Sequence, residues 1–127
     1  MQQALEDAVV RFSGESVIVQ GAGRTDSGVH ALGQVAHLDL KKNWSAETVR
    51  DALNAHLREP YVSVLDAESV EENFHARFSA TERSYQYRII NRRAPLTVEL
   101  GRAWWVPQPL DVKKIKAAAQ LLCGTHD

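Results

Sequence analysis

The apolar positions along this chain change period several times, and each change predicts an element. Leu5, Ala8, Val9 and Phe12 recur at i, i+3, i+4, i+7, which predicts a helix over Gln3–Phe12 with Ser13-Gly14 as its stop. Val17 to Gln20 is short and β-branched and predicts a strand. It runs into GAGRTDSG, residues 21 to 28, where glycine and aspartate predict a tight loop. A strand resumes over Gln34–Leu40. Ser45 then caps a helix running to about Leu57, with Val49, Ala52, Leu53 and Leu57 on one face and Pro60 as a stop signal.

Val62–Val70 and Arg83–Asn91 read as two further strands. In the second, Arg83, Tyr85, Tyr87 and Ile89 share one face, and Ser84, Gln86, Arg88 and Ile90 the other. Trp104–Pro107 predicts a short strand end. Asp111 caps a last helix, with Val112, Ile115, Ala119 and Leu122 along one side and Gly124 as its stop. Helices and mostly non-adjacent strands in this order predict an α+β fold: an antiparallel or mixed sheet with helices packed on one face. No repeat and no Pro-, Gly- or Ser-rich linker divides the 127 residues, so they are expected to form one domain. Both ends suggest an interrupted element, the first residues lying already inside an amphipathic helix and GTHD stopping just after another.

Composition narrows the class. With 44% apolar and 24% charged residues the chain is neither disordered nor a coiled coil. No apolar run nears the roughly 18 to 20 residues of a membrane span. MQQALEDAVV has no basic stretch followed by an apolar core, so no signal peptide is expected there. One cysteine cannot form an internal disulfide, and a reducing, cytoplasmic setting is expected. The net charge of −1 hides an asymmetry. Residues 1 to 76 carry 12 acidic and 6 basic side chains, and residues 77 to 127 carry 4 and 9. The steepest stretch holds Arg77, Arg83, Arg88, Arg92 and Arg93 against Glu82, a pattern that fits either a polyanion partner or a solvated strand face.

Candidate chemistry centres on residues 21 to 31. Gly21, Gly23 and Gly28 match neither the dinucleotide fingerprint nor the P-loop. His30, His37 and His75 have no metal-ligand spacing, so no metal site is expected and each is read as a packed or hydrogen-bonded side chain. Cys123, near an apolar stripe with no histidine close in sequence, is expected to be a buried thiol. Asp26 admits two readings. It is either a carboxylate nucleophile kept ionised by Arg24, with glycines letting a large substrate approach, or a turn residue bonding its own backbone.

Two segments favour the first reading. GAGRTDSGVHALGQVAHLDL at 21 to 40, and FHARFSA at 74 to 80 followed by RSYQYRI at 83 to 89, resemble the two motifs of the TruA family of tRNA pseudouridine synthases. The resemblance extends from LEDAVVRFSGE to AAAQLLCGTHD. It implies a pseudouridine-synthase-like fold, here incomplete, and isomerisation of uridine to pseudouridine in the anticodon stem–loop of tRNA without metal, ATP or redox cofactor. Asp26 corresponds to the catalytic aspartate, and Arg24 to an arginine that holds the flipped base or the phosphate beside it. Tyr85 corresponds to a tyrosine that stacks on the target base, whereas Tyr87 is assigned to packing. Arg77 and Arg83 flank the second motif and are candidates for backbone phosphates. His30 and Gln34 lie within the first motif.

The resemblance also implies a homodimer about twice this length, beginning with a strand that precedes the first helix here and continuing past GTHD. The chain is therefore expected to be a partial catalytic domain, inactive alone and either marginally stable or self-associating, with Trp44, Trp104 and Trp105 among its uncovered surfaces. The alternative reading is an RNA-binding fragment without catalysis.

Overall fold

In the computed structural model, residues 1–57 and 62–126 are described, and the expected stop at Pro60 lies outside them. The chain is α+β, and its described residues form three helices and two small sheets arranged in two compact units. The first unit takes in Met1–Ser27 and Ala31–Arg83. The second takes in Gly28–His30 and the chain from Ser84 onward.

Helix α1 spans Gln2–Ser13 and α2 spans Ala46–His56, both close to the predicted bounds. Each has a terminus set for a local reason. Gly14 leaves α1 at φ 74°, a left-handed conformation glycine adopts without a Cβ penalty, and its N–H closes on Val10 O at 2.9 Å. Ser45 opens α2 by accepting the Thr48 N–H at 3.2 Å. The two apolar faces meet. Ala8 and Val9 from α1 are buried with Leu53 and Leu57, and Phe12, Val17, Leu38, Leu40, Val62 and Val64 pack around them. Burial of each leucine contributes about 1.5–3 kcal/mol, so this small core is what holds the first unit.

Strands β1 (Gln20–Gly21) and β2 (Ala36–His37) form an antiparallel pair in which Gln20 faces His37 and Gly21 faces Ala36. Residues 17 to 19 show the expected alternation, with Val19 buried and Ile18 exposed, but lie outside the ladder. The Val19 N–H instead donates to Glu6 Oε1 at 3.0 Å, which ties α1 to the start of the hairpin.

The strand predicted over Val62–Val70 is not formed among the described residues. Val62 and Val64 do turn inward, as alternation requires, yet the Val64 backbone pairs with a side chain. Asn54 Nδ2 donates to Val64 O and Asn54 Oδ1 accepts the Val64 N–H, both at 2.8 Å. One amide thus supplies both bonds that a neighbouring strand would make. Asn54→Ala would orphan two half-buried backbone groups, and a loss of about 1–3 kcal/mol is expected in a urea melt.

In the second unit, β3 (Ile89–Asn91) and β4 (Trp104–Val106) pair in parallel, with Ile89 opposite Trp104. The predicted strand over Arg83–Asn91 is therefore paired only at its end, because three residues of β4 are its only ladder partner among the described residues. Asn91 fixes the segment after β4, donating to Val106 O and Gln108 O and accepting the Leu110 N–H. Helix α3 spans Val112–Gln120, capped by Asp111 Oδ1 through the Lys113 and Lys114 N–H groups. It ends before Gly124, and none of its residues is buried.

Burial corrects three expectations. Trp44 is half-buried, packed edge-on against Phe12 at 5.8 Å with Lys42 Nζ over its ring, whereas Trp104 is uncovered as expected at 69% exposure. Cys123 is exposed, as are the described residues on either side of it. Tyr87 is 91% exposed, so it does not serve packing here. Among the described residues, 84 to 88 have no neighbour in a ladder to cover either face.

Candidate active site

The first motif begins as β1 and leaves it as a loop. Its stem is fastened on both sides: the Ala22 N–H donates to Val35 O at 2.8 Å, and Gln34 Nε2 donates to Gly23 O at 2.7 Å. Gly21 is a close-approach position, since a Cβ there would stand 3.4 Å from Gly23 O. Gly28, at φ 82°, turns the chain back in a conformation that side chains rarely adopt. Between these glycines Arg24, Thr25 and Asp26 are exposed.

Among the described residues, no hydrogen bond or ion pair engages the Asp26 carboxylate. Arg24 stands two residues away on the same loop and, among the described residues, makes no ion pair with it; Arg50 pairs with Asp51 and Arg88 with Glu99. The turn-residue reading of Asp26 would require a bond from its side chain to the nearby backbone, and none is made among the described residues. Two shallow surface depressions run along residues 69 to 74, one of them reaching Ser79, and neither includes Arg24 or Asp26.

The second motif is a turn built by its own histidine. His75 O accepts the Ser79 N–H at 2.7 Å, and the His75 N–H donates to Ser79 Oγ at 3.1 Å. His75 Nδ1 accepts the Arg77 N–H at 3.2 Å and, more weakly, that of Phe78 at 3.4 Å. An accepting Nδ1 leaves the proton on Nε2, which faces Gln20 Oε1 in β1 at 3.0 Å; the tautomer follows from this network. His37 Nδ1 accepts the Ala76 N–H at 3.1 Å, and the two imidazoles meet edge to face at 4.7 Å. Both histidines are therefore hydrogen-bonded and packed. Among the described residues no group of three or more His, Cys, Asp or Glu side chains gathers as a metal site would require.

The predicted phosphate arginines divide. Arg77 is exposed and its guanidinium makes no hydrogen bond or ion pair among the described residues. Arg83 reaches back, and its Nη2 donates to Ala22 O at 3.1 Å and Arg77 O at 2.9 Å. Tyr85 belongs to the second unit and is 78% exposed, with its ring open to solvent. In the first unit the segment carrying Arg24 and Asp26 is linked to that carrying Arg77 and Arg83 through the Arg83 bond to Ala22 O, and Tyr85 follows two residues after Arg83 in the sequence. Sequence reasoning misses Gln20, His37 and His75 as the fasteners between the motifs. The usable signal is their place in or beside the two motifs, but side chains that bond to backbone leave no spacing pattern.

No helix among the described residues is long and apolar enough to cross a membrane. A sequence profile described as tRNA pseudouridine synthase matches residues 1–79, more than half of the chain. The chain belongs to the tRNA pseudouridine synthase family. The matched stretch contains the Asp26 loop whole and ends inside the second motif. Similar family members are named tRNA pseudouridine synthase A. The one from Rhodospirillum rubrum is 58% identical over 127 residues, all of this chain and 46% of its own length. Those from Rhizobium leguminosarum and Sinorhizobium fredii are 58% and 57% identical over 129 residues, which make up 48% and 52% of their lengths. The chain spans about half the length of these curated relatives.

Proposed function

We propose that this chain carries the catalytic aspartate of an enzyme that isomerises uridine to pseudouridine in the anticodon stem–loop of tRNA. The observation that carries the reading is Asp26, exposed and unengaged on a loop whose stem is fixed, in a chain of the synthase family. The reaction breaks the ribose–N1 bond, rotates the uracil and makes a ribose–C5 bond, releasing the C5 proton. A carboxylate adds to the base or to the sugar as the nucleophile, and either route is covalent catalysis without a cofactor. The uridine leaves its stack to meet Asp26. Arg24 holds the flipped nucleotide or the phosphate beside it, and Arg77 neutralises a backbone phosphate. Arg83 keeps Nε and Nη1 for a further phosphate contact. In this reading the intact protein is a cytoplasmic homodimer, its helices cover one face of a sheet, and this chain is part of one catalytic domain.

Tyr85 supplies the stacking face for the target base. Stacking of a base on an aromatic ring is worth about 1–3 kcal/mol, so Tyr85→Ala is expected to weaken tRNA binding by about 5- to 150-fold. Tyr85→Phe keeps the ring and is expected to bind within about threefold of the parent. Equal weakening by the two variants in a filter-binding titration would remove Tyr85 from this role.

The test of the function uses this chain both alone and grafted in place of the matching stretch of the Rhodospirillum rubrum relative. The substrate is tRNA tritiated at uridine C5. The graft is expected to release tritium and the chain alone is not. A folded graft that binds tRNA without releasing tritium would overturn the assignment. For the chain alone, RNA binding without catalysis is the second reading, and one fact favours it: the relatives are about twice as long.

A further inference from the structure

We propose that Arg83 is a positioning residue: it clips the stem of the Asp26 loop to the second-motif turn and so sets where the carboxylate stands. Its kinetic consequence rests on the isomerase reading above; the clip itself does not.

A single nitrogen, Nη2, donates to two carbonyls, Ala22 O in the first motif at 3.1 Å and Arg77 O in the second at 2.9 Å. Two further cross-links run between the same parts. His75 Nε2 meets Gln20 Oε1, and the Ala76 N–H meets His37 Nδ1, which places the turn against both strands of the hairpin. Ala76 is buried beneath these bonds. From the hairpin side, Val35 O holds the Ala22 N–H and Gln34 holds Gly23 O. Fixation by side chains stops there, because among the described residues no side-chain hydrogen bond holds Arg24, Thr25 or Asp26. Arg83 therefore acts on the last fixed residue but one before the reactive segment, and Asp26 lies only four residues beyond Ala22.

This is a poor arrangement for a residue devoted to phosphate. A phosphate ligand presents its fork to solvent, whereas Arg83 turns one arm inward onto carbonyls, where a charged donor makes bonds stronger than neutral ones. Arg77 is the converse: its carbonyl belongs to the clip, and its guanidinium makes no hydrogen bond or ion pair among the described residues. A lysine in place of Arg83 would keep the charge but end about one bond short of Nη2, as a point donor rather than a planar fork.

Two measurements separate the roles. Hydrogen exchange is followed on this chain in the parent and in the Arg83→Lys and Arg83→Gln variants. Both variants are expected to speed exchange at residues 22 to 26 while α1 and α2 keep their protection. Unchanged exchange at 22 to 26 overturns the clip, and loss of protection throughout α1 and α2 overturns a local role. Kinetics are then followed in the graft. Arg83→Lys is expected to lower kcat about 100-fold, the scale of a misplacement near 1 Å, with KM and the salt dependence of tRNA binding retained. Arg77→Gln is expected to lower the salt slope of tRNA binding by about one while leaving exchange at residues 22 to 26 as in the parent. If Arg83→Lys keeps kcat, the clip does not position the carboxylate and the proposal fails; a lower salt slope in Arg83→Gln would then leave Arg83 as a phosphate ligand alone. An inactive parent graft sinks the isomerase reading instead, and the exchange pattern still decides the clip.

Discussion

Asp26→Asn is expected to abolish tritium release from C5-labelled tRNA in the graft, by at least about 10⁴-fold, the scale of losing a residue of a covalent catalytic unit. The substitution is close to isosteric and removes little except the negative charge and the nucleophilic oxygen. Asp26 is exposed, and no hydrogen bond or ion pair among the described residues depends on it. Stability is therefore expected to stay within about 0.5 kcal/mol of the parent, as for surface substitutions in general. Affinity for tRNA is expected to hold or rise, because a carboxylate facing a polyanion repels it. The combination of intact fold, intact binding and absent chemistry is the signature sought. A variant that still turns over within about tenfold of the parent would show that another group performs the nucleophilic step.

The second large effect concerns the scaffold. Leu53→Ala is expected to destabilise the chain by about 2–5 kcal/mol, read as a fall of about 1 M or more in the urea midpoint. Leu53 is 4% exposed and sits among Ala8, Val9 and Leu57, which leave a cavity if its side chain is cut back. Leu32, 91% exposed, supplies the control: Leu32→Ala should move the midpoint little. The effect would reach the site because α1 carries Glu6, whose carboxylate holds the Val19 N–H just before β1. Equal midpoints for the two alanine variants would mean that the α1–α2 contact does not hold the first unit together.

The helices are legible in the sequence because a helix bonds within itself. Residue type and position alone identify Ser45 and Asp111 as caps, and each accepts the N–H groups a cap should. Strands bond to something else, and the sequence does not say to what. Val62 and Val64 alternate as a strand would, yet the partner is the Asn54 amide. Burial is misread for the same reason at Tyr87 and Cys123: an apolar position is inward-facing only if another element covers it. Asp26 becomes a candidate through resemblance of two motifs; its loop chemistry alone leaves the turn residue as a competing reading. The clip at Arg83 has no trace in the sequence, since the carbonyls it binds are present at every position and carry no side-chain signature.

Helix α3 has a consequence of its own. It is nine residues long, none of them buried, and so only its cap and local propensity favour it. Nucleation is costly, and helices shorter than about 12–15 residues are marginal in water even with favourable sequences. A surface that covered Val112 and Ile115 would therefore also order the helix. Any partner surface that docks there must also supply the free energy of freezing the backbone, so part of the contact energy goes into ordering rather than affinity.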